Sequence, residues 1–334
     1  MSDQRPVLHL IFDEAHCSQI ITGFLELFGS SLVIRDERRN PEYDGHRSAI
    51  VEVEYRDKRM VYDTCDGYFP DIMSWYLNRC DLYFKRSYST EKNLALFPQF
   101  DDRIRPLGLY YFLTAKGNPL NDCLSARERI LDLVGVRSRA SFTKDKFECV
   151  PSYKRDGLKT IFYTRLWEPN LGIPELDAER EYINKMRVQI IETLSRKYGS
   201  AFFGGLHSDP FTKGYAPQLI LSKATTTKNA YLDLMHQCDI CIGSMGLHES
   251  IGGKTAEYVA AAKAIINERL HYEVPGDFKE GQNYISFETA EECVDAVDRL
   301  MNDPDKVFEM KKKNLAYYIE YLEPASMIGR TLFE

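Results

Sequence analysis

The hydrophobic pattern changes character about midway along the chain. The first half opens with the short apolar run Val7–Phe12, followed by a helix-period stretch from about His16 to Phe28. Two alternating runs come next, Ala49–Tyr55 and Arg59–Thr64, and the Arg56-Asp57-Lys58 between them predicts a β-hairpin. A helix over Asp71–Asn78, a strand over Asp81–Phe84, the apolar run Pro106–Leu113 and a polar helix near Leu124–Val134 complete this half. Pro151–Gly157 is polar and turn-rich, the composition of a linker. Beyond it strands (Thr160–Thr164, Ala201–Phe203, Asp239–Ile242, Ala264–Ile266, Tyr284–Phe287) alternate with helices (Ala178–Tyr198, Asn229–Gln237, Gly253–Ala262, Ala290–Met301). Such alternation implies a parallel, doubly wound sheet. Asp303-Pro304-Asp305 then opens a charged helix to about Tyr321, with Asp303 as N-cap and Pro304 at the first helical position.

Composition narrows the class. The 334 residues leave room for two domains, and 44% apolar with 28% charged residues describes a globular chain. No run of about 18 apolar residues is present, so no membrane-spanning helix is expected. Met1–Pro6 lacks the features of a signal peptide, which points to a cytoplasmic protein. A net charge of −7 argues against a general nucleic-acid partner. Eight scattered cysteines read as reduced thiols; Cys238 and Cys241 form a lone C-x-x-C with no second pair to complete a zinc site. Lys311-Lys312-Lys313 reads as a solvated helix face, with peripheral contact to a membrane surface as the rival reading.

The segment from Gly243 to Ile266 carries the chemistry. It follows a buried-type strand, and ligands of open α/β sheets sit beyond strand C-termini. Its glycines let backbone approach a ligand, and the helix beginning near Gly252-Gly253 offers free N–H groups and a positive dipole to phosphate. Lys254 adds charge there. Glu257, one turn further on, can accept hydrogen bonds from a ribose, while Glu249 stands where a sugar attached to the phosphate would lie. The competing reading is a tight turn capped by Ser250, with Lys254 and Glu257 facing solvent.

Glu249-Ser-Ile-Gly-Gly-Lys-Thr-Ala-Glu257 resembles the E-x7-E motif of the retaining family 4 glycosyltransferases, and Glu257-Tyr-Val-Ala-Ala-Ala-Lys-Ala-Ile-Ile continues that likeness. The segment from Glu280 and the helix with Glu291, Val294 and Leu300 are similar to the same family's C-terminal domain, and the whole chain resembles small group 1 enzymes of surface-polysaccharide synthesis. The likeness spans residues 160–310. It implies the GT-B architecture: α/β, with two Rossmann-like domains whose parallel sheets carry helices on both faces. Residues 1–155 would form the acceptor-side domain, 156–305 the nucleotide-sugar domain, and 306–334 helices that pack back toward the first domain. The implied reaction is transfer of a sugar from a nucleotide diphosphate sugar to a glycan or lipid-linked glycan acceptor, with retention, no cofactor and no metal. Glu257 would bind ribose and Glu249 the transferred sugar. Gly252, Gly253, Arg165 and Lys254 would hold diphosphate, with Ser244 and His248 beside the donor. The family's lysine shortly after its arginine is missing here, replaced by Trp167-Glu-Pro-Asn170, and Asp13-Glu14-Ala15-His16 stands in place of its first glycine-rich loop.

On the N-terminal side Asp13, Glu14 and His16 follow a strand end, where one of them can serve as a base toward the acceptor or position it. A capped helix start at Asp13 explains the same residues. Lys85 and Arg86 end another strand and suit a phosphate or anionic acceptor, or plain surface charge. Asp63 and Asp66 are the next candidates. Two rival functions share this pattern: a nucleotide-sugar 2-epimerase, which needs no acceptor, and a non-catalytic nucleotide-sugar-binding protein.

Overall fold

The computed structural model describes residues 5–121 and 142–333. The predicted helix near Leu124–Val134 and Cys123 lie outside them. The first sheet contains β1 (Val7–Leu10), β2 (Val33–Asp36), β3 (Ile50–Tyr55), β4 (Lys58–Asp63), β5 (Leu82–Lys85) and β6 (Ile104–Pro106), ordered β2-β1-β3-β4-β5-β6. Strand β3 alone runs antiparallel, because the predicted hairpin turns on only two residues, Arg56 and Asp57, both at positive φ (52° and 59°). Strand alternation sends Leu8, Leu10, Val51 and Val53 beneath helix α1 (Ser18–Phe28). Ile11, Ile50 and Val61 go to the opposite face, beneath α2 (Pro70–Leu77). Strand β2 and α3 (Thr90–Leu96) have no counterpart in the sequence reading.

The second sheet is wholly parallel, ordered β11-β10-β9-β7-β8. Its strands are β7 (Thr160–Thr164), β8 (Phe202–Leu206), β9 (Ile240–Gly243), β10 (Ala264–Glu268) and β11 (Tyr284–Phe287). Phe162, Ile240, Ile242 and Ile266 pack against α4 (Pro174–Tyr198) through Ile190, Ile191 and Leu194. The short α5 (Pro210–Tyr215) precedes α6 (Lys228–Gln237) and α7 (Gly253–Ala260), which cover the other face. Helix α8 (Ala290–Met301) begins at a capping box in which Thr289 and Glu292 exchange side-chain bonds with each other's backbone.

Asp303 accepts from Lys306 N at 2.9 Å and starts α9 (Pro304–Tyr317). The chain passes through a π turn, Tyr318–Leu322, into α10 (Pro324–Phe333), which lies along α1 of the first domain. Gln19 Nε2 donates to Leu322 O at 3.0 Å, and the Tyr62 and Thr331 hydroxyls meet at 2.8 Å. Lys311 departs from its expected exposure. It is 3% exposed and pairs with Asp239 at 2.8 Å, while Lys154 of the linker pairs with the same carboxylate at 3.2 Å. A cation so committed cannot serve a membrane-surface patch. Cys238 and Cys241 are buried in the core as free thiols. Among the described residues no helix is long and apolar enough to cross a membrane.

The approach of α10 to α1 requires glycine. A Cβ at Gly23 would stand 2.3 Å from Pro324 O and 2.5 Å from Ile328 Cγ1. Gly23→Ala is expected to destabilise the protein by about 1–3 kcal/mol through overpacking, measured by urea unfolding. An unchanged midpoint would show that the two helices are free to separate.

Candidate functional site

A cavity of about 590 Å³ opens between the two domains, at the C-terminal ends of β7 and β9. Its floor is the loop after β9. Backbone approaches closely here: a Cβ at Gly243 would stand 2.0 Å from Asn267 Oδ1, and one at Gly252 would stand 2.7 Å from Ser244 O. Gly252 is the N-cap of α7 and supplies no side-chain bond, so the helix presents its first N–H groups uncapped along the cavity wall at Gly252, Gly253 and Lys254. Ser250 does not cap the helix; its carbonyl accepts from Gly246 N at 2.7 Å.

Glu257 follows one turn later and is 5% exposed. Its Oε1 pairs with Lys228, while its Oε2 is buried without a hydrogen-bond partner. Both residues line the cavity. A buried carboxylate oxygen with no donor carries a desolvation cost that a ligand hydroxyl would relieve. Lys254 donates to Tyr163 O and lies 4.2 Å from the centre of the Tyr231 ring. Burial pushes its pKa down to about 7, against the opposing pull of Glu257. Arg165 stands just past β7 with its guanidinium 3.7 Å from the centre of the Trp167 ring, and burial lowers its pKa despite Asp66 and Asp209.

The N-terminal wall includes His16, Asp66 and Arg86. His16 sits in a 3₁₀ turn capped by Glu14, whose Oε1 accepts from His16 N at 3.4 Å. Its ring is edge-on to Tyr110 with centroids 5.4 Å apart. Burial, then Arg86, lowers its pKa, which favours the neutral imidazole. Arg86 pairs with Asp66 at 2.5 Å and crosses the cleft to donate to Ile251 O at 2.8 Å.

His16, Arg86, Arg165, Ser244, Gly252, Gly253, Lys254 and Glu257 therefore share one cavity. Asp66 joins them, and six other nominated residues, Asp63 among them, lie outside it. Asp13 is exposed and Glu14 is occupied as a cap. Lys85 is fully buried, paired with Asp63 at 3.0 Å and donating to Cys65 O. Strand alternation turns Lys85 into the domain interior and leaves Arg86 facing the cleft. His248 and Glu249 adopt left-handed backbone (φ 59° and 58°) and are exposed at the mouth of the cleft, where the His248 ring lies edge-on to Phe69 with centroids 6.3 Å apart. There Glu249 meets Lys92 at 3.5 Å and His271 at 3.7 Å, and His248 O accepts from Tyr272 OH. Sequence reasoning missed Lys228 and Arg187. Neither belongs to a motif, and Lys228 meets Glu257 across 29 residues of sequence.

No family model matches the chain, and no curated protein matches it. Among solved structures it is similar to the C-terminal domain of LpcC, a glycosyl transferase group 1 protein from Francisella tularensis (TM-score 0.38, 12% identity, 53% of this chain and 96% of that one). It is also similar to a glycosyltransferase from Rickettsia africae (0.45, 13%, 82% and 68%). A third likeness is to HepE from Anabaena, solved with UDP (0.43, 11%, 79% and 68%). Scores and identities this low carry nothing about chemistry, which rests on the cavity's own residues.

The depressed pKa of Lys254 makes a signed prediction. The unfolded chain holds this proton up to the ordinary lysine range, and the folded chain releases it near 7. Stability of the wild type relative to Lys254→Met should therefore rise with pH from about 7 to about 10.5 and be flat below. Paired urea titrations across that window measure the difference; a difference independent of pH would mean that Lys254 is hydrated.

Proposed function

We propose that the chain is a glycosyltransferase that moves a sugar from a nucleotide diphosphate sugar to an acceptor hydroxyl. The observation that carries this reading is the buried, unpartnered Oε2 of Glu257, one turn inside an uncapped helix N-terminus on the same cavity. A ribose hydroxyl satisfies that oxygen. The diphosphate then reaches the N–H groups of Gly253 and Lys254 and the charges of Lys254 and Arg165. Charge on the leaving diphosphate is stabilised by these fixed donors, the main source of rate in this scheme. The acceptor enters from the wall of His16, Asp66 and Arg86, and closure of the cleft excludes water. Arg165, Arg187 and Lys254 supply positive charge from protein alone, so the proposal includes transfer without a divalent metal.

The proposal also includes retention of the donor's anomeric configuration and a role in glycan or polysaccharide synthesis. Retention follows the motif resemblance around Glu257; on the acceptor wall Asp13 is absent and Asp66 is held by Arg86, which leaves the neutral His16 as the candidate base for the inverting alternative. An inverting enzyme needs a free base there.

Incubation with a panel of nucleotide sugars, with and without acceptors, tests the reading. Release of nucleoside diphosphate that depends on acceptor supports it. Turnover without acceptor to an epimeric nucleotide sugar, or binding without turnover, would replace it. NMR of the fresh product assigns the anomer, and inversion would remove the retaining mechanism.

Glu257→Ala should weaken nucleoside diphosphate binding by about 1–3 kcal/mol in calorimetry. Glu249→Ala, outside the cavity, should leave that affinity within about twofold. The reverse ranking would return Glu249 to the donor.

EDTA should leave the transfer rate unchanged, while Arg165→Ala should lower it by roughly 10²–10³, as for removal of one preorganised donor. Activity lost in EDTA and restored by Mg²⁺ or Mn²⁺ would overturn the metal-free scheme.

A further inference from the structure

Helix α4 presents Arg180, Asn184 and Arg187 at spacings of four and three, which places them on one face. All three grip backbone in the turn after β7. Arg180 donates to Glu168 O at 2.7 Å. Asn184 accepts from Trp167 N at 2.8 Å and donates to Trp167 O at 2.6 Å. Arg187 donates to Arg165 O through Nη1. It also reaches the loop after β9, through Nε to Ser244 Oγ at 3.1 Å and Nη2 to Met245 O at 2.8 Å. The other backbone polar group of Met245 is held by Glu268, which accepts from Met245 N at 2.9 Å.

The chemistry of these partners is informative. Arg187 is 5% exposed and lines the cavity. Its three acceptors are all neutral, and among the described residues no carboxylate lies within ion-pair distance of it. Glu268 acts on it at longer range but spends its hydrogen bond on the loop. A buried cation without a bonded counter-charge is costly in the empty protein, and an arriving anion removes that cost. The guanidinium fork is also the side chain that can hold three acceptors in a fixed plane.

We propose that Arg187 is a positioning residue that locks the loops after β7 and β9 into one frame for an anionic ligand of the pyrophosphate class, whose charge compensates its own. Arg165 and Ser244, each the first residue of its loop, are then set by a single side chain. The ligand class follows the donor reading given above; the coupling of the two loops stands on the hydrogen bonds.

The test uses the intact chain and inorganic pyrophosphate, a probe independent of base and sugar. Affinity is measured by calorimetry and ligand-induced thermal shift for the wild type, Arg187→Gln, Arg187→Lys, Arg165→Ala and the double variant Arg165→Ala/Arg187→Gln. Arg187→Gln is expected to weaken pyrophosphate by at least about tenfold, and Arg187→Lys to recover little, since one ammonium cannot span three acceptors. Arg165→Ala should cost less in the Arg187→Gln background than alone, the non-additivity of residues acting through one frame. A folded Arg187→Gln with affinity within about twofold of wild type, or strictly additive losses, would overturn the proposal. If Arg187→Gln does not fold, Arg187→Lys decides alone, and wild-type affinity in it overturns the proposal. Failure of the wild type to bind pyrophosphate also overturns it. Arg187-dependent pyrophosphate binding without turnover of any nucleotide sugar supports this proposal and removes the transferase reading.

Discussion

Helix α10 lies along α1 with the Pro324 carbonyl where a side chain at residue 23 would begin, and the cleft depends on this contact. Without it α10 would leave the first domain and expose Leu322, Met327 and Ile328, while α9 stays packed on the second sheet through Val307 and Met310. With it, those side chains join a core cluster that runs from Leu8 and Val51 of the first sheet to Ile161 and Ile265 of the second. Buried apolar area shared between the domains resists their separation, at about 25 cal/mol per Å². Tyr111 and Tyr318 add a hydroxyl contact at 3.2 Å within the same seam. The cavity exists because the two sheets are held at a fixed distance by chain that has returned from the second domain to the first.

Across the mouth of the cleft the ties are polar. Glu273 N donates to Tyr88 O at 2.9 Å, and the Glu273 carboxylate accepts from Thr90 N and its hydroxyl. Lys92 donates to Tyr272 OH at 3.1 Å, and Arg86 bonds Ile251 O. Arg86 bears directly on the loop that carries Gly252, and the others hold the Tyr272-Glu273 segment, which reaches that loop through Tyr272 OH and His248 O. Apolar packing thus closes the back of the cleft and exchangeable hydrogen bonds close the front, the side on which a ligand must enter. Inside, Lys254 and Arg187 are held by neutral acceptors, and Glu257 keeps one oxygen unsatisfied. Such a site is unfavourable when empty and becomes favourable when hydroxyls and negative charge arrive together. That electrostatic incompleteness, more than the shape of the fold, distinguishes the cavity from the rest of the surface.

The sequence by itself determined most of the second domain. Periodicity located β7, β11 and α8 to the residue, because this signal is local. It also located the glycine loop and Glu257, because strand, glycine and helix follow one another along the chain. It did not yield β2 or α3, short elements stabilised chiefly by what they pack against, and it anticipated α10 only through the family resemblance, within the helices expected over 306–334. Nor did it sort the nominated site residues. Lys85 and Arg86 are neighbours in sequence, yet one is an interior ion pair and the other a cleft residue, a consequence of strand register. Glu249 lies outside the cavity, paired with Lys92 and His271 at a pair of left-handed residues, a backbone choice no composition reveals. Lys228 reaches Glu257, and Arg187 reaches Ser244, only after helices distant in sequence pack on the same sheet. Local pattern sets which segments are helix or strand; the charges that meet in the cavity are set by packing, since burial and pairing are properties of neighbours brought together in space.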